Sequence, residues 1–150
     1  LKTELKTELK TEYYISTDKA KLDIAMLHGF LSQSYWSPSI PLETLQRAIE
    51  NSICFGAFHH SGAQIGFARV VSDKATFAYL ADVFVLPAFR GKGISNLIME
   101  AYTNHPELQR LRRHMLVTRD AHGLYKKFGF TEAKNPENLM QKHYPDVYKQ

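Results

Sequence analysis

The chain has 150 residues, 44% hydrophobic and 23% charged, with 19 basic and 15 acidic side chains and a net charge of +4. That is enough chain for one globular domain with a core of its own. The lone cysteine, Cys54, excludes an intrachain disulfide and fits a reducing compartment, no apolar run approaches 18 residues, and the net charge suits an anionic ligand while being modest for a nucleic-acid binder. A cytoplasmic protein with no membrane and no nucleic-acid partner is the expectation.

Residues 1–12 repeat Leu-Lys-Thr-Glu three times. In a helix Leu1, Leu5 and Leu9 would form a stripe, but lysine would stack on lysine and glutamate on glutamate at i, i+4, which is mildly unfavourable. The repeat reads as an accessory tail without a catalytic part, the alternative being a helix packed on the domain or on a partner. Residues 13–150 read as the single domain.

Tyr13-Tyr14-Ile15 starts a strand. Thr17 or Asp18 can cap the helix after it, with Leu22, Ala25, Met26 and Phe30 on one face and Leu27 and Leu31 beside them. Gln33 to Pro38 breaks the pattern and holds Tyr35 and the only tryptophan, Trp36. A second helix begins near Pro41, lined by Leu42, Leu45 and Ile49. Ile53–Phe58 is a buried strand, His60–Ala63 its turn, and Gln64–Val71 the next strand; Ser72–Thr76 turns into a third, Tyr79–Leu86.

The stretch from Asp82 to Ser95 carries the most information. Pro87 stops the strand, and after Gly93 the apolar residues Ile94, Leu97, Ile98 and Ala101 fall at helical spacing. Between them stand Arg90, Gly91, Lys92 and Gly93. Two glycines let the backbone approach a ligand, a helix start offers unpaired N–H groups and partial positive charge, and Arg90 and Lys92 add full charges: a phosphate cradle. The bland alternative is an ordinary strand-to-helix turn with a solvated basic pair. A P-loop is excluded, since no G-x-x-x-x-G-K-[ST] occurs, and the dinucleotide fingerprint fails at its third glycine, where Asn96 stands.

The helix from Ile94 ends near His105-Pro106, and Glu107–Arg110 can add a turn. His114–Thr118 is a short strand. Gly123–Phe128 is a short helix, with Gly129 as its stop and Phe130 as the apolar residue after it. Asn138–His143 can form a last strand before Pro145. The order is β-α-α-β-β-β-α-β-α-β, an α+β fold with a mixed, mostly antiparallel sheet flanked by helices.

Arg90-Gly91-Lys92-Gly93-Ile94-Ser95, after a strand that ends in a proline-containing loop, resembles the acetyl-CoA signature of the GNAT (Gcn5-related) N-acetyltransferase superfamily, with Ser95 where the family usually has Gly or Ala. A second segment, Ala121 to Phe130, resembles the family's "A-x-x-L-Y-x-x-x-G-F" run after the fifth strand. The two motifs and the element order cover residues 13–143. The resemblance implies acetyl-CoA as co-substrate and a small-molecule or peptide amine as acceptor, with a homodimer an option. It also implies pantetheine lying in the gap between the fourth and fifth strands, against the backbone of Val83, Phe84 and Val85, and a diphosphate held by Arg90, Gly91, Lys92, Gly93, Ile94, Ser95 and Asn96. Thr118 stands where many relatives carry a pantetheine-contacting Asn. Tyr125 matches the tyrosine that commonly donates to the CoA sulfur, its alternative being a ring packed under the helix with its hydroxyl on a carbonyl. Tyr35 and Trp36 fall where the family shapes its acceptor pocket, or else they belong to the core.

Acetyl transfer needs a neutral amine, a donor to the oxyanion and a proton or hydrogen bond for the thiolate. Two side chains offer themselves as the base. Asp82 is an acid in an apolar strand, unless it is a structural carboxylate paired with an Arg, and His122 has a suitable ordinary pKa. Asp120 reads as the cap of the last helix. No histidine pair has metal-site spacing, Cys54 has no partner, and His59-His60 sits at a turn, so no metal is expected. The competing functional reading is a non-catalytic acyl-CoA binding or sensing domain.

Overall fold

One five-stranded sheet, in the order β1-β2-β3-β4-β5, carries the molecule in the computed structural model, which describes residues 12–149. The strands are β1 (Tyr13–Ser16), β2 (Ile53–His59), β3 (Gln64–Ser72), β4 (Phe77–Val85) and β5 (Arg113–Leu116). The first four pair antiparallel and β4 pairs β5 parallel, so the fold is α+β with a mixed, mostly antiparallel sheet. The parallel step requires a crossover. It is supplied by α3 (Ile94–Asn104), which follows α1 (Ile24–Leu31) and α2 (Leu42–Glu50) and precedes the short α4 (His122–Lys126). Among the described residues no helix is long and apolar enough to cross a membrane.

Alternation along the strands divides the apolar residues between two cores, one on each face of the sheet. Phe55, Ala68, Val70, Ala78 and Leu80 pack with Ile94, Ile98 and Tyr102 of α3 and with Tyr125 of α4. Cys54, Phe67 and Phe84 face the other way, against Leu27 and Leu31 of α1 and Leu45 and Ile49 of α2. The α3 stripe read from sequence is thus the buried face of that helix.

Three expectations need correction. The first helix does not run from Thr17 or Asp18. Asp18 caps only a 3-10 turn, Lys19–Lys21, by accepting from the Ala20 N–H, and Asp23 then caps α1 by accepting from the Met26 N–H. The buried positions of α1 are Leu27 and Leu31, while Ala25 is exposed. The second correction concerns Asn138–His143, which forms no strand: Pro136–Asn138 is a 3-10 turn and Met140 is 96% exposed. Leu139 and Met140 are adjacent, so they cannot share one face of a strand, and the residues after them are polar. The third is the cap of α4. Asp120 does not cap it: the N-cap is Ala121 with no side-chain cap bond, and Thr118 Oγ1 accepts from the Ala121 N–H at 3.0 Å just ahead of the helix. The Leu-Lys-Thr-Glu tail, read as residues 1–12, lies outside the described residues up to residue 11.

Candidate active site

The site begins with a slip in the sheet. Phe67 pairs with Phe84 and Arg69 with Ala81, so Asp82 and Val83 together oppose Ala68. This is a β-bulge, which bends and twists its strand. Asp82 takes it up with φ of 55°, a left-handed conformation that Asp tolerates better than most residues. Before the bulge Ala78 and Leu80 face α3; after it Val83 and Val85 do. Asp82 is thereby turned to the α1–α2 face. Pairing of β4 with β5 ends at Leu80 opposite Leu116, while β4 continues to Val85. The backbone of Asp82–Val85 therefore lies along an edge that β5 has left. The Val85 carbonyl there accepts from Arg90 Nε at 3.0 Å. The side chains of Phe84 and Val85 are buried in opposite cores, so only their backbone faces the gap.

At the end of β4, Pro87–Phe89 makes one 3-10 turn, and Gly91 and Gly93 follow with φ of 79° and 82°. Gly93 is the N-cap of α3, and no side chain caps that end. Usually a Ser, Thr, Asp or Asn oxygen occupies a first-turn N–H. Here the first intrahelical bond is Leu97 N–H to the Gly93 carbonyl, and among the described residues no acceptor reaches the N–H groups of Ile94, Ser95 and Asn96. A Cβ built on Gly91 would meet nothing within 4 Å, so the turn opens outward. Arg90 and Lys92 are exposed beside it, while the side chain of Ile94 is buried in the core and has only its backbone to offer a ligand.

Tyr125 stands on α4, held by the stop at Gly129 (φ 91°) and by Phe130, whose N–H donates to the Tyr125 carbonyl and whose ring meets the tyrosine edge-on. The ring is buried, yet among the described residues the hydroxyl has no hydrogen-bond partner, and it is not sealed from solvent. Burial pushes its pKa up to about 12, helped by the nearby Tyr35 and Asp120. The phenol is therefore protonated across the physiological range. Thr118, His122 and Tyr125 line one groove of about 1010 Å³, together with residues of β5. The glycine turn and Val83–Val85 are not part of that groove's lining.

On the opposite face Asp82 is fully engaged. Arg69 Nε donates to its Oδ2 at 2.7 Å and Trp36 Nε1 to its Oδ1 at 2.9 Å, while Arg69 also donates to Ser52 Oγ. Its side chain is 8% exposed. Each oxygen thus accepts from a protein donor, the pairing that the structural-carboxylate alternative expects. Trp36 meets Tyr35 edge-on, and Phe30 lies near Trp36 and stacks on Phe84 at 3.9 Å. Both Tyr35 and Trp36 are largely exposed, so neither is a core residue. The Arg119 guanidinium lies over the Tyr35 ring, 3.8 Å from its centroid.

Sequence reading missed Arg69 and Arg119. Arg69 was legible only as one cation in an apolar strand. Arg119 carried no signal, because its partner is 84 residues away in another loop (119 − 35). Among the described residues no group of three or more His, Cys, Asp or Glu side chains could hold a metal ion.

A splayed parallel strand pair beside an uncapped glycine turn defines a class, and comparison names it. The family model described as an acetyltransferase (GNAT) domain matches residues 50–132, and the chain belongs to that family. A Gibberella zeae protein provisionally named an acetyltransferase is 31% identical over 139 residues, spanning 77% of each chain. A Xanthomonas campestris pv. campestris crystal structure, of a protein provisionally placed among GNAT acetyltransferases, is 52% identical with a TM-score of 0.89, covering 92% of this chain and 97% of its own. A Clostridium acetobutylicum protein, provisionally assigned as an acetyltransferase and crystallised with acetyl-CoA, shares the fold at 15% identity, with a TM-score of 0.61 over 87% of this chain and 94% of its own.

Proposed function

We propose that the chain is an N-acetyltransferase that moves the acetyl group of acetyl-CoA to a primary amine of a small-molecule or peptide acceptor by direct attack. The observation that carries this reading is the start of α3: two left-handed glycines, no side-chain cap and two flanking cations, next to a strand edge that β5 has vacated. These residues fit a CoA diphosphate, since unpaired N–H groups at a helix start favour anions. They would include the backbone of Gly91–Asn96 with Lys92 and Arg90. The pantetheine arm would lie along Val83–Val85, with Thr118 donating its remaining O–H. The Clostridium acetobutylicum structure, named with acetyl-CoA, supports the choice of co-substrate.

Bound acetyl-CoA would supply the thioester, and the net exchange is amine plus thioester to amide plus thiol. Tyr125 holds a proton at its Oη, and the group that needs one is the departing sulfur. Burial keeps that proton in place. The amine proton passes to water directly or through His122, which is exposed at the start of α4. Asp82 orients Trp36 rather than exchanging protons. The test is a panel of primary amines with acetyl-CoA supplied, read as free CoA release. Release with some amines supports the proposal; acetyl-CoA binding without release for any amine would leave a binding domain instead.

A further inference from the structure

Resting on that acetyltransferase reading, we propose that Arg119, held over the Tyr35 ring, recognises a carboxylate on the acceptor, so that amino-acid-type amines are the preferred substrates. The two residues come from different sides of the site. Tyr35 lies between α1 and α2, beside Trp36 and its bond to the bulge at Asp82. Arg119 lies between β5 and α4, six residues before Tyr125. Their contact therefore bridges the opening where β4 and β5 part. Tyr35 is near enough to Tyr125 that ionising one phenol would oppose ionising the other.

Arg119 is a cation held against a ring, with no counter-charge among the described residues. Among the described residues no carboxylate lies within 4.0 Å of it, and its guanidinium donates no hydrogen bond. Asp82, the buried acid of the same region, is already engaged by Arg69 and Trp36. A guanidinium whose carbon sits 3.8 Å over a ring centroid bonds to nothing through that contact, so its planar fork of N–H donors stays available to take a carboxylate two bonds at a time. Stacking also removes much of the freedom that a long side chain otherwise loses on binding. An exposed arginine alone would say nothing. One held over a ring that itself lies near Tyr125 is placed to orient a substrate whose other end is an amine.

The experiment compares α-amino acids with their carboxamides as acceptors, in CoA-release assays at saturating acetyl-CoA, with rates corrected for the neutral-amine fraction of each. Wild type should favour the acids in kcat/KM by about tenfold to a hundredfold, the span of hydrogen bonds to charged groups. Arg119→Gln should bring the ratio to near parity, and Arg119→Lys should recover part of it. Tyr35→Phe keeps the ring and should keep the preference, while Tyr35→Leu should weaken it. Equal use of acids and amides by wild type overturns the proposal, as does a preference that survives in Arg119→Gln. A raised acetyl-CoA KM in Arg119→Gln, with the acid-to-amide ratio unchanged, overturns it too, because Arg119 then serves the co-substrate. If no amine of either kind releases CoA although calorimetry shows acetyl-CoA binding, the acetyltransferase reading fails and this inference falls with it.

Discussion

Trp36 donates from Nε1 to Asp82 Oδ1 at 2.9 Å, tying the loop between α1 and α2 to the residue at which β4 slips its register. The bond joins two elements 46 residues apart, and it exists only because the bulge turns Asp82 away from the α3 core. One buried carboxylate thus fixes both the loop between α1 and α2 and the place where β4 slips its register.

Removing that carboxylate should cost stability before it costs chemistry. Asp82→Ala leaves Arg69 without its ion-pair partner and puts a less tolerant residue at a φ of 55°. A loss of about 3–5 kcal/mol is expected from breaking a buried pair. Asp82→Asn keeps an acceptor for Trp36 and a side chain suited to the left-handed region, so it should lose clearly less. Urea denaturation measures both. In the Asn variant the acidic limb of the pH–rate profile should keep its shape, since the carboxylate is bound to Arg69 and Trp36 rather than poised for an amine. A flattened limb would return Asp82 to the role of base.

Much of this was legible in the sequence, and the parts that were not share a cause. Spacing of Ile94, Leu97, Ile98 and Ala101 revealed α3 and its buried face, because a helix stripe is a local pattern. The glycine turn was legible for the same reason. The bulge was not: Tyr79 to Leu86 is apolar almost throughout, which hides the change in parity from Leu80 to Val83. Ala25 was misplaced because Leu22 and Asp23 interrupt the first helix, and an N-cap five residues from another candidate is ambiguous. Arg69–Asp82 and Arg119–Tyr35 are contacts between distant segments. Their geometry follows from sheet register and loop placement, which no local pattern encodes.

Gly93→Val tests the cradle. At φ of 82° a β-branched residue is strained, by about 1–2 kcal/mol on the general left-handed penalty. The melting temperature should fall by a few degrees while the fold persists. Acetyl-CoA affinity should fall further than that strain explains, by about tenfold or more, as expected when charge-assisted bonds to the turn are lost. Calorimetry with acetyl-CoA reads this directly; unchanged affinity in a folded variant would put the diphosphate elsewhere.

Cys54 should be silent toward thiol reagents. It is buried in the core beneath α1 and α2, and desolvation pushes its pKa up to about 11, so little thiolate forms at neutral pH. Native protein should release almost no chromophore from an aromatic disulfide reagent, and denatured protein one equivalent. Rapid reaction of the native form would show that this core opens readily, and it would also complicate CoA-release assays with the same reagent.

Tyr125→Phe removes one oxygen and keeps the ring. The phenol is packed against Phe130 while its hydroxyl bonds to nothing among the described residues, so the melting temperature at neutral pH should not change. Charge grows on the leaving sulfur only as the C–S bond breaks, so a proton there helps the transition state and not binding. The expected result is a lower kcat with a nearly unchanged acetyl-CoA KM. General acids contribute about 10²–10⁴-fold, and a thiol is a fair leaving group, which places the loss toward the low end. A second measurement separates the ring from its proton. Burial raises the pKa values of Tyr125 and Tyr102 from 10.0 to about 12, so the folded state holds these protons more tightly than the unfolded chain. Their contribution is complete below pH 10 and is lost as the pH climbs from 10 to about 12. Wild type should therefore lose stability steeply in that window, and Tyr125→Phe should lose it less steeply. A variant with full kcat under chemistry-limited conditions, but with the flatter alkaline slope, would make Tyr125 a packing residue.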